Sequence, residues 1–365
     1  MQLSKATKTA LFLKTKHLGD SIILTSAIAA LPPEFIVDVL CFKESEPIFE
    51  MSPRVRQVYV VPRHLEGWAK IRQYWYILSG MRASQYDLLA QFSDDWRGAL
   101  FARILKTKMS VAREPKKRPA IWRKSFQHIA KQTSFRRPAA EQDVDLLRKV
   151  RLFNEPIAPP YQIVLKPDLI EQVNAELNKK IDKLGEKKIV ALHAAARWKF
   201  KGLPHDTWAK VINSLHSRGY CVILTGAPSD LAFNQEIVAL CQIAPLLISN
   251  YDLNLTAALI KRANVLLSID SMPIHLASAL QTPVVAIFGP TNDRVWAPWS
   301  VPHRVLSLSE NDSPSFACRP CGLDGCAGSK VSQCLVAVSA ESIVNALEEL
   351  VNQQIISFSN TPKQI

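Results

Sequence analysis

Three short segments of the chain place charged and small residues where a strand is expected to end. The first is Lys16–Asp20, in which Gly19 directly precedes the carboxylate of Asp20. A carboxylate that faces a substrate hydroxyl can act as a general base. On local features alone, Asp20 is at least as typical of a helix N-cap, so both interpretations stay open at this point.

The second segment is His193–Lys201, which reads H-A-A-A-R-W-K-F-K. Small residues allow backbone N–H groups to approach an anion, and the cations Arg197, Lys199 and Lys201 can neutralise it. The pattern therefore favours phosphate binding at the end of a strand. The alternative is a basic surface loop without a ligand.

The third segment, Leu266–Thr291, is the most informative of the three. A strand is expected to end at Asp270, Ser271 can cap the next helix, and His275 falls on the first turn of that helix. A helix N-terminus carries partial positive charge and attracts phosphate. Gly289–Thr291 can border the same pocket. Neither a P-loop nor a G-x-G-x-x-G turn after the first strand is present, so the pattern predicts a phosphate pocket of another kind.

The elements around these segments alternate between short apolar strands and amphipathic helices. This alternation predicts an α/β fold with doubly wound parallel sheets. The Pro-rich stretch 158–167 marks a junction, so we expect two Rossmann-like domains facing each other across a cleft, residues 1–168 and 169–340. Residues 341–365 are predicted to form a closing helix and frayed tail that pack back toward the N-terminal domain.

The composition excludes several classes of protein. The chain has 365 residues, of which 48% are hydrophobic and 21% are charged, which is typical of a globular protein and not of a disordered or collagen-like chain or a small disulfide scaffold. We find no apolar run of about 18 residues, so no transmembrane helix is expected. The apolar stretch Ala10–Leu13 is short and is followed at once by Lys14 and Lys16, which does not fit a secretory signal. A cytoplasmic location is therefore predicted.

The net charge of +13 is concentrated in one part of the chain. Residues 51–150 contain 21 Lys and Arg against 8 Asp and Glu, and Glu114 is the one acidic residue between Arg103 and Arg137. This stretch also contains Trp122, Phe126 and Phe135. Such a field favours a polyanionic partner: a phosphorylated glycolipid, an anionic membrane surface or a nucleic acid. A solvated basic face without a specific partner is the alternative.

Four cysteines cluster as C-x2-C-x4-C-x7-C at Cys318, Cys321, Cys326 and Cys334. In a cytoplasmic protein this spacing suggests a structural metal site, with zinc as the first candidate. Free thiols or a disulfide are the alternatives. Cys41, Cys221 and Cys241 are predicted to be small core residues.

No D-x-D metal motif lies at the end of an expected strand. Asp143 and Asp145 have the spacing but lie in an expected helix, Glu141–Val150, so we predict no catalytic metal there. Asp94 and Asp95 follow a strand and are interpreted as a helix start, with an acceptor contact as the alternative.

Together these motifs resemble glycosyltransferase family 9, the lipopolysaccharide heptosyltransferases. The Leu18-Gly19-Asp20 turn is similar to the N-terminal motif of the family. The segment S-I-D-S-M-P-I-H-L-A-S-A-L is similar to its nucleotide motif, usually D-[TS]-G-P-x-H-L-A, and V-V-A-I-F-G-P-T continues that similarity. Arg197–Lys201 resembles the R-W-x-F-K stretch of the heptosyltransferase III subgroup.

The resemblance implies a two-domain GT-B enzyme that inverts the anomeric centre without a metal or other cofactor. It implies Asp20 as the general base and ADP-L-glycero-D-manno-heptose as the donor. The implied nucleotide-sugar site comprises Ala196, Arg197, Lys201, Asp230, Asp270, Ser271, Met272 and His275. The implied acceptor is the phosphorylated inner core of lipopolysaccharide, for which Arg118, Arg123 and Lys124 are candidate contacts. The enzyme would then work at the cytoplasmic face of the inner membrane, on an anionic surface, with no nucleic acid as partner.

Some positions depart from the pattern of the family. Met272 stands where glycine is usual, and Ala195 and Ala196 stand where some relatives have threonine. Pro228–Asp230 replaces a region where relatives often carry an acidic residue near the adenosine, and Asp230 can substitute for it. These departures keep open a related transferase with another nucleotide sugar. A basic nucleic-acid-binding protein that retains a nucleotide fold is the alternative from a different class.

Overall fold

The computed structural model describes residues 7–61, 65–115, 117–131, 136–181, 185 and 187–359, with the backbone alone for 354–359. The chain divides into two compact units, the first ending at Val164 and the second beginning at Leu165. The junction lies within the Pro-rich stretch 158–167.

The first unit contains a parallel six-stranded sheet. Its strands are β1 Lys8–Lys14, β2 Phe35–Phe42, β3 Val55–Val61, β4 Leu88–Gln91, β5 Met109–Arg113 and β6 His128–Ala130. Its helices are α1 Leu18–Ala30, α2 Glu46–Glu50, α3 Gly67–Ala83, α4 Trp96–Leu105, α5 Ala120–Arg123 and α6 Ala139–Lys149. The strand order β3-β2-β1-β4-β5-β6 is that of a doubly wound sheet.

Alternate strand residues separate the helices of this unit into two groups. Leu11 and Leu13 of β1 point to one face of the sheet, where they join a core that includes Ile77 of α3, Phe101 of α4 and Trp122 of α5. Helices α3, α4 and α5 contact one another in sequence, and α1 packs against α2 and α6. The α3–α5 helices therefore form one layer on one face of the first sheet.

The second unit contains another parallel six-stranded sheet. Its strands are β7 Ile189–His193, β8 Cys221–Thr225, β9 Leu246–Ile248, β10 Val265–Ile269, β11 Val284–Ile287 and β12 His303–Leu306. Its helices are α7 Pro167–Lys180, α8 His205–Ser217, α9 Leu231–Ala239, α10 Leu253–Arg262, α11 Met272–Leu280, α12 Asp293–Trp296, α13 Gln333–Val336 and α14 Ala340–Ser359. The order β12-β11-β10-β7-β8-β9 repeats the doubly wound arrangement.

Both sheets confirm the predicted fold class. The central strands β7, β8, β10 and β11 are buried apart from His193, the last residue of β7. Parallel strands covered on both faces read as continuous apolar runs, which is why the sequence revealed them. In each sheet the strand order reverses at one point, between β1 and β4 in the first and between β7 and β10 in the second.

Strands β5, β6 and β12 were not predicted from the sequence. Strands β5 and β6 lie inside the basic stretch 103–137, where Lys and Arg in the flanking loops masked short strands such as M-S-V-A-R. Helix α1 begins at Leu18, so Gly19 and Asp20 are helical and not part of the turn. The predicted tail began at Ser357, but helix α14 extends through Ser359. Residues 360–365 lie outside the described part of the chain.

The closing helix α14 packs against α8 and strands β10, β11 and β12. Its side chains Ile343, Val344, Leu347 and Leu350 belong to the buried core of the second unit. Within the second unit the apolar face of this helix forms part of the core, and its packing toward the first unit stays a prediction. Among the described residues, no helix is long and apolar enough to span a bilayer.

Candidate active site

The carboxyl edge of the second sheet brings together two of the predicted segments. The chain leaves β7 and β10, the neighbours at the reversal point, and forms a 3-10 turn, Lys199–Lys201, and a loop at Asp270. The Nζ atom of Lys201 donates to Oδ2 of Asp270 at 2.6 Å. Both side chains are mostly buried. Ligands of open α/β sheets bind at this type of crevice, so the pair marks the candidate site.

Helix α11 begins beside this pair. Ser271 occupies the N-cap position with extended backbone, but its hydroxyl donates to the carbonyl of Ile269 at 3.2 Å and does not cap the helix. The expectation that its side chain caps the helix is therefore wrong. The N–H groups of the first turn of α11 therefore do not donate to the Ser271 hydroxyl. This arrangement suits them to bind an anion.

Met272 and His275 both lie on the first turn of α11, which was predicted for His275 alone. Met272 is half-buried and is the first residue of the helix. His275 is buried, and its ring lies edge-on to that of Trp296 with centroids 6.3 Å apart. The histidine thus packs in the protein interior behind the helix N-terminus.

The loop after β8 contributes Asp230, whose Oδ2 accepts from the backbone N–H of Ala227 at 2.8 Å. A Cβ at Gly226 would lie 2.8 Å from Nδ2 of Asn234, so glycine permits this tight loop. His193, the last residue of β7, interacts electrostatically with Asp230, while desolvation lowers the pKa of the imidazole. His193 was given no role in the sequence analysis. Its position at the end of a strand was the one feature that could have marked it as a site residue.

Ala196 and Arg197 connect β7 to the 3-10 turn. Ala196 is half-buried and packs against the core of the second unit. The guanidinium of Arg197 is exposed and lies over the ring of Trp198, 5.4 Å from its centroid. The structure therefore separates two of the three predicted cations. Lys201 contacts Asp270, whereas Arg197 lies at the surface.

The cysteine-bearing segment 318–334 is attached to the same sheet edge. Ser332 donates to the carbonyl of Phe200 at 2.6 Å, and the N–H of Gly322 donates to the carbonyl of Pro290 at 2.9 Å. A Cβ on Gly289 would lie 2.5 Å from Cδ1 of Leu335, so this glycine allows close packing of the segment. These contacts hold the loops after β7 and β11 in place.

The predicted metal site is not formed by the four thiols of this segment. Cys318 is exposed, Cys321 and Cys326 are half-buried, and Cys334 is buried on α13. Burial raises the pKa of the Cys334 thiol, which disfavours the thiolate that binds metal. In the described ranges, no group of three or more His, Cys, Asp or Glu side chains could hold an ion. Cys41 and Cys221 are buried core residues as expected, and Cys241 is half-buried.

The first sheet carries Asp20 at its corresponding edge. Asp20 is the third residue of α1, is partly exposed, and has Nζ of Lys16 at 4.0 Å from its Oδ1. The helix has no side-chain cap, so Asp20 does not play the N-cap role that local features favoured. The carboxylate of Asp20 therefore lies in the first turn of the helix that follows β1, at the reversal point of the first sheet, with Lys16 beside it.

Lys14, at the end of β1, is a residue that the sequence analysis missed. Its Nζ donates to Oδ2 of Asp143 at 2.8 Å, and both side chains are almost fully buried. Arg113 also donates to Asp143. Burial lowers the pKa of Lys14, which the charges of Asp143 and Asp20 oppose. A lysine inside an apolar strand was the only sequence signal for this network.

The acidic pairs have structural partners. Asp143 and Asp145 lie on α6, as predicted, and Asp145 pairs with Arg137 and Arg148. Asp95 caps α4 through the N–H of Arg97, at 2.9 Å, which confirms the predicted helix start. Burial alone would raise the pKa of Asp95, but hydrogen bonds from Arg97 and Thr15 outweigh this effect and lower it.

The aromatic residues of the basic stretch 103–137 were expected to contact a partner, but those that the structure describes are buried. Trp122 is fully buried, donates through Nε1 to the carbonyl of Asp95, and packs against the buried Phe126 with centroids 4.8 Å apart. These rings belong to the core and cannot stack on bases or insert into a bilayer. Phe135 lies outside the described residues.

The three candidate acceptor residues lie on the α5 region of the first unit. Arg118 donates to the carbonyl of Asp94, whereas Arg123 and Lys124 are exposed, with Glu114 3.7 Å from Arg123.

Two doubly wound units, each built on six parallel strands, form a fold of the GT-B class. The model of glycosyltransferase family 9 (heptosyltransferase) matches residues 75–322. The chain belongs to this family and is a glycosyltransferase.

Individual relatives agree with this assignment. The chain is 29% identical over 292 residues to lipopolysaccharide heptosyltransferase 3 of Escherichia coli, which covers 77% of this chain and 84% of the relative. The crystal structure of a family 9 glycosyltransferase from Veillonella parvula shares the fold with a TM-score of 0.81 at 18% identity, covering 95% of this chain and 97% of the other. The ADP-heptose heptosyltransferase II structure from E. coli has a TM-score of 0.73 at 17% identity, covering 96% and 100%.

Proposed function

We propose that the protein transfers heptose from ADP-L-glycero-D-manno-heptose to the phosphorylated inner core of lipopolysaccharide with inversion, and that it needs no metal. The observation that carries this proposal is the Lys201–Asp270 pair beside the N-terminus of α11, in a chain of the heptosyltransferase family. The similarity to lipopolysaccharide heptosyltransferase 3 supports the sugar and the acceptor class. A lipid-linked acceptor places the enzyme at the cytoplasmic face of the inner membrane.

On the donor side, the second unit holds the leaving group. ADP departs with growing negative charge on its β-phosphate. Lys201, the N–H groups at Ser271 and Met272, and Arg197 from the surface stabilise that charge. Asp270 orients Lys201 through their short contact. Ala196 would form part of the wall of the proposed donor site, and Asp230 would belong to a loop that borders it. His275 would pack behind the N-terminus of α11.

On the acceptor side, Asp20 accepts the proton of a core-sugar hydroxyl while its oxygen attacks the anomeric carbon opposite the phosphate. The new C–O bond forms as the bond to ADP breaks, through an oxocarbenium-like transition state. Positioned general bases of this type contribute about 10²–10⁴-fold to the rate. Arg118, Arg123 and Lys124 would bind the phosphates of the acceptor.

The proposal is tested by following ADP release from ADP-heptose with and without a phosphorylated, heptosylated core acceptor. We expect release that depends on the acceptor. Tight ADP binding without turnover would contradict the proposed acceptor. Turnover with a different nucleotide sugar, and not with ADP-heptose, would contradict the proposed donor and would implicate Met272 and Ala196.

Replacement of Lys201 by alanine should lower kcat/KM for ADP-heptose by about 10–100-fold, the value of a charge-assisted hydrogen bond. The Kd of ADP, measured by calorimetry, should rise in parallel. Lys199→Ala is the matched control because Lys199 lies on the same turn and is exposed. Equal effects of the two substitutions would show that only the net charge of the turn matters.

A further inference from the structure

The N-terminal half of α3 projects from the first unit. All residues from 65 to 72 are exposed, whereas Ile77, Leu78 and Met81 anchor the other half of the helix in the core. The projecting part is nevertheless rich in apolar side chains: Trp68 is 86% exposed, Tyr76 73%, Trp75 61% and Ile71 47%. Exposed aromatic residues in such a group mark an interaction surface.

These side chains share one face of the helix. At about 100° per residue, Trp68, Ile71 and Trp75 fall within roughly 60° of arc, with Arg72 and Tyr76 beside them. Of the anchoring residues, Ile77 and Met81 lie on the opposite side, whereas Leu78 follows Ile71 two turns later at the edge of the arc. We call the outward face of Trp68, Ile71, Arg72, Trp75 and Tyr76 the α3 face.

Aliphatic side chains extend this surface along the α3–α5 layer. Leu100 of α4 and Ile121 of α5 are each 53% exposed, and α4 contacts both α3 and α5. The basic residues Lys70, Arg72 and Arg82 accompany the apolar side chains of α3, which carries no acidic residue. From 65 to 131 the sequence has fourteen Lys and Arg against five Asp and Glu.

We propose that the α3 face docks the enzyme on an anionic phospholipid bilayer. Trp and Tyr partition to the interface of a bilayer, with their rings at the depth of the headgroups, and Lys and Arg attract anionic lipid. A second copy of the chain would place two positive faces against each other. A nucleic acid would leave Ile71, Leu100 and Ile121 without apolar partners. This inference rests on the proposed lipid-linked acceptor, and it transfers the membrane contact from the buried Trp122 and Phe126 to α3.

The docking is tested by cosedimentation of the full chain with vesicles, without donor or acceptor. We expect binding to vesicles of phosphatidylethanolamine and phosphatidylglycerol and little binding to vesicles of phosphatidylcholine. The triple substitution Trp68→Ser, Trp75→Ser, Tyr76→Ser should weaken binding by about 100-fold, since each ring loses apolar burial. Arg72→Glu should weaken it by about tenfold.

The matched control is Leu240→Ser with Ile243→Ser, which removes exposed apolar side chains from the second unit. Binding of this double variant should equal that of the wild type. Equal binding of the triple variant, or no binding of the wild type, would overturn the proposal. A shift of the triple variant from dimer to monomer without vesicles would assign the face to a second copy instead and also overturn it.

A second measurement separates this proposal from the transferase activity. The triple variant should release ADP at the wild-type rate with a deacylated, water-soluble acceptor but should lose activity on the acceptor embedded in vesicles. A wild-type protein that binds vesicles but transfers no heptose would contradict the proposed function alone.

Discussion

The Asp20→Asn variant is expected to lose about 10²–10⁴-fold in kcat while it binds ADP as tightly as the wild type. The amide keeps the size of the side chain but cannot accept the proton of the acceptor hydroxyl. The proposed donor site lies in the second unit, so removal of one charge from α1 should leave the Kd of ADP unchanged. Acceptor-dependent ADP release under saturating substrates measures the first quantity, and calorimetry measures the second.

Asp94→Asn provides the control for this experiment. Asp94 is an exposed carboxylate that follows β4, next to β1 in the sheet. Its substitution should leave kcat close to that of the wild type. An Asp20→Asn enzyme that retains more than about a tenth of wild-type kcat would exclude Asp20 as the base, because positioned bases contribute more than this. Stability should change by no more than about 1 kcal/mol, the value of a charge near a helix N-terminus.

The second large effect is expected on stability, from Asp143→Asn. The carboxylate of Asp143 compensates the buried charge of Lys14 at 2.8 Å. Loss of one partner leaves an uncompensated buried charge, which typically costs about 3–5 kcal/mol. We therefore expect the free energy of unfolding of the first unit to fall by about 3–4 kcal/mol in urea denaturation.

Asp145→Asn, two residues further along α6, is the matched control. Asp145 also has two arginine partners, but it is more exposed, and Arg148 retains a second ion pair with Glu141. Its substitution should cost about 1 kcal/mol. The double substitution Lys14→Met with Asp143→Leu should restore most of the stability lost in Asp143→Asn, because an apolar pair fills the same space without charge. Equal losses for the two asparagine variants would show that the Lys14 pair contributes no special stability.

Local patterns explain why much of the fold was predictable. The apolar runs of β7, β8, β10 and β11 and the helices between them are features of neighbouring residues, so one sequence is enough to detect them. The same holds for the segment around Asp270 and Met272, whose residues stand next to one another in the chain. Strands β5 and β6 escaped detection because they are short and the flanking charges dominate the pattern.

The burial of aromatic residues was not predictable in the same way. Trp122 and Trp68 both stand among Lys and Arg in the sequence, yet Trp122 is fully buried and Trp68 is almost fully exposed. The difference depends on whether a neighbouring helix and the sheet cover the residue. No local pattern contains that information, so the sequence could not show that Trp122 is covered by the core while Trp68 is exposed.

The sequence alone was enough to predict the α/β fold, the resemblance to the glycosyltransferase family, and the two segments that contain Asp270–His275 and Asp20. The tertiary structure decided which of these residues meet. Lys201 and Asp270 are separated by 69 positions in the sequence, and Lys14 and Asp143 by 129, yet the fold brings each pair into contact. Strand periodicity and helix capping act over a few residues, whereas ion pairing and burial depend on the register and order of strands far apart in the chain.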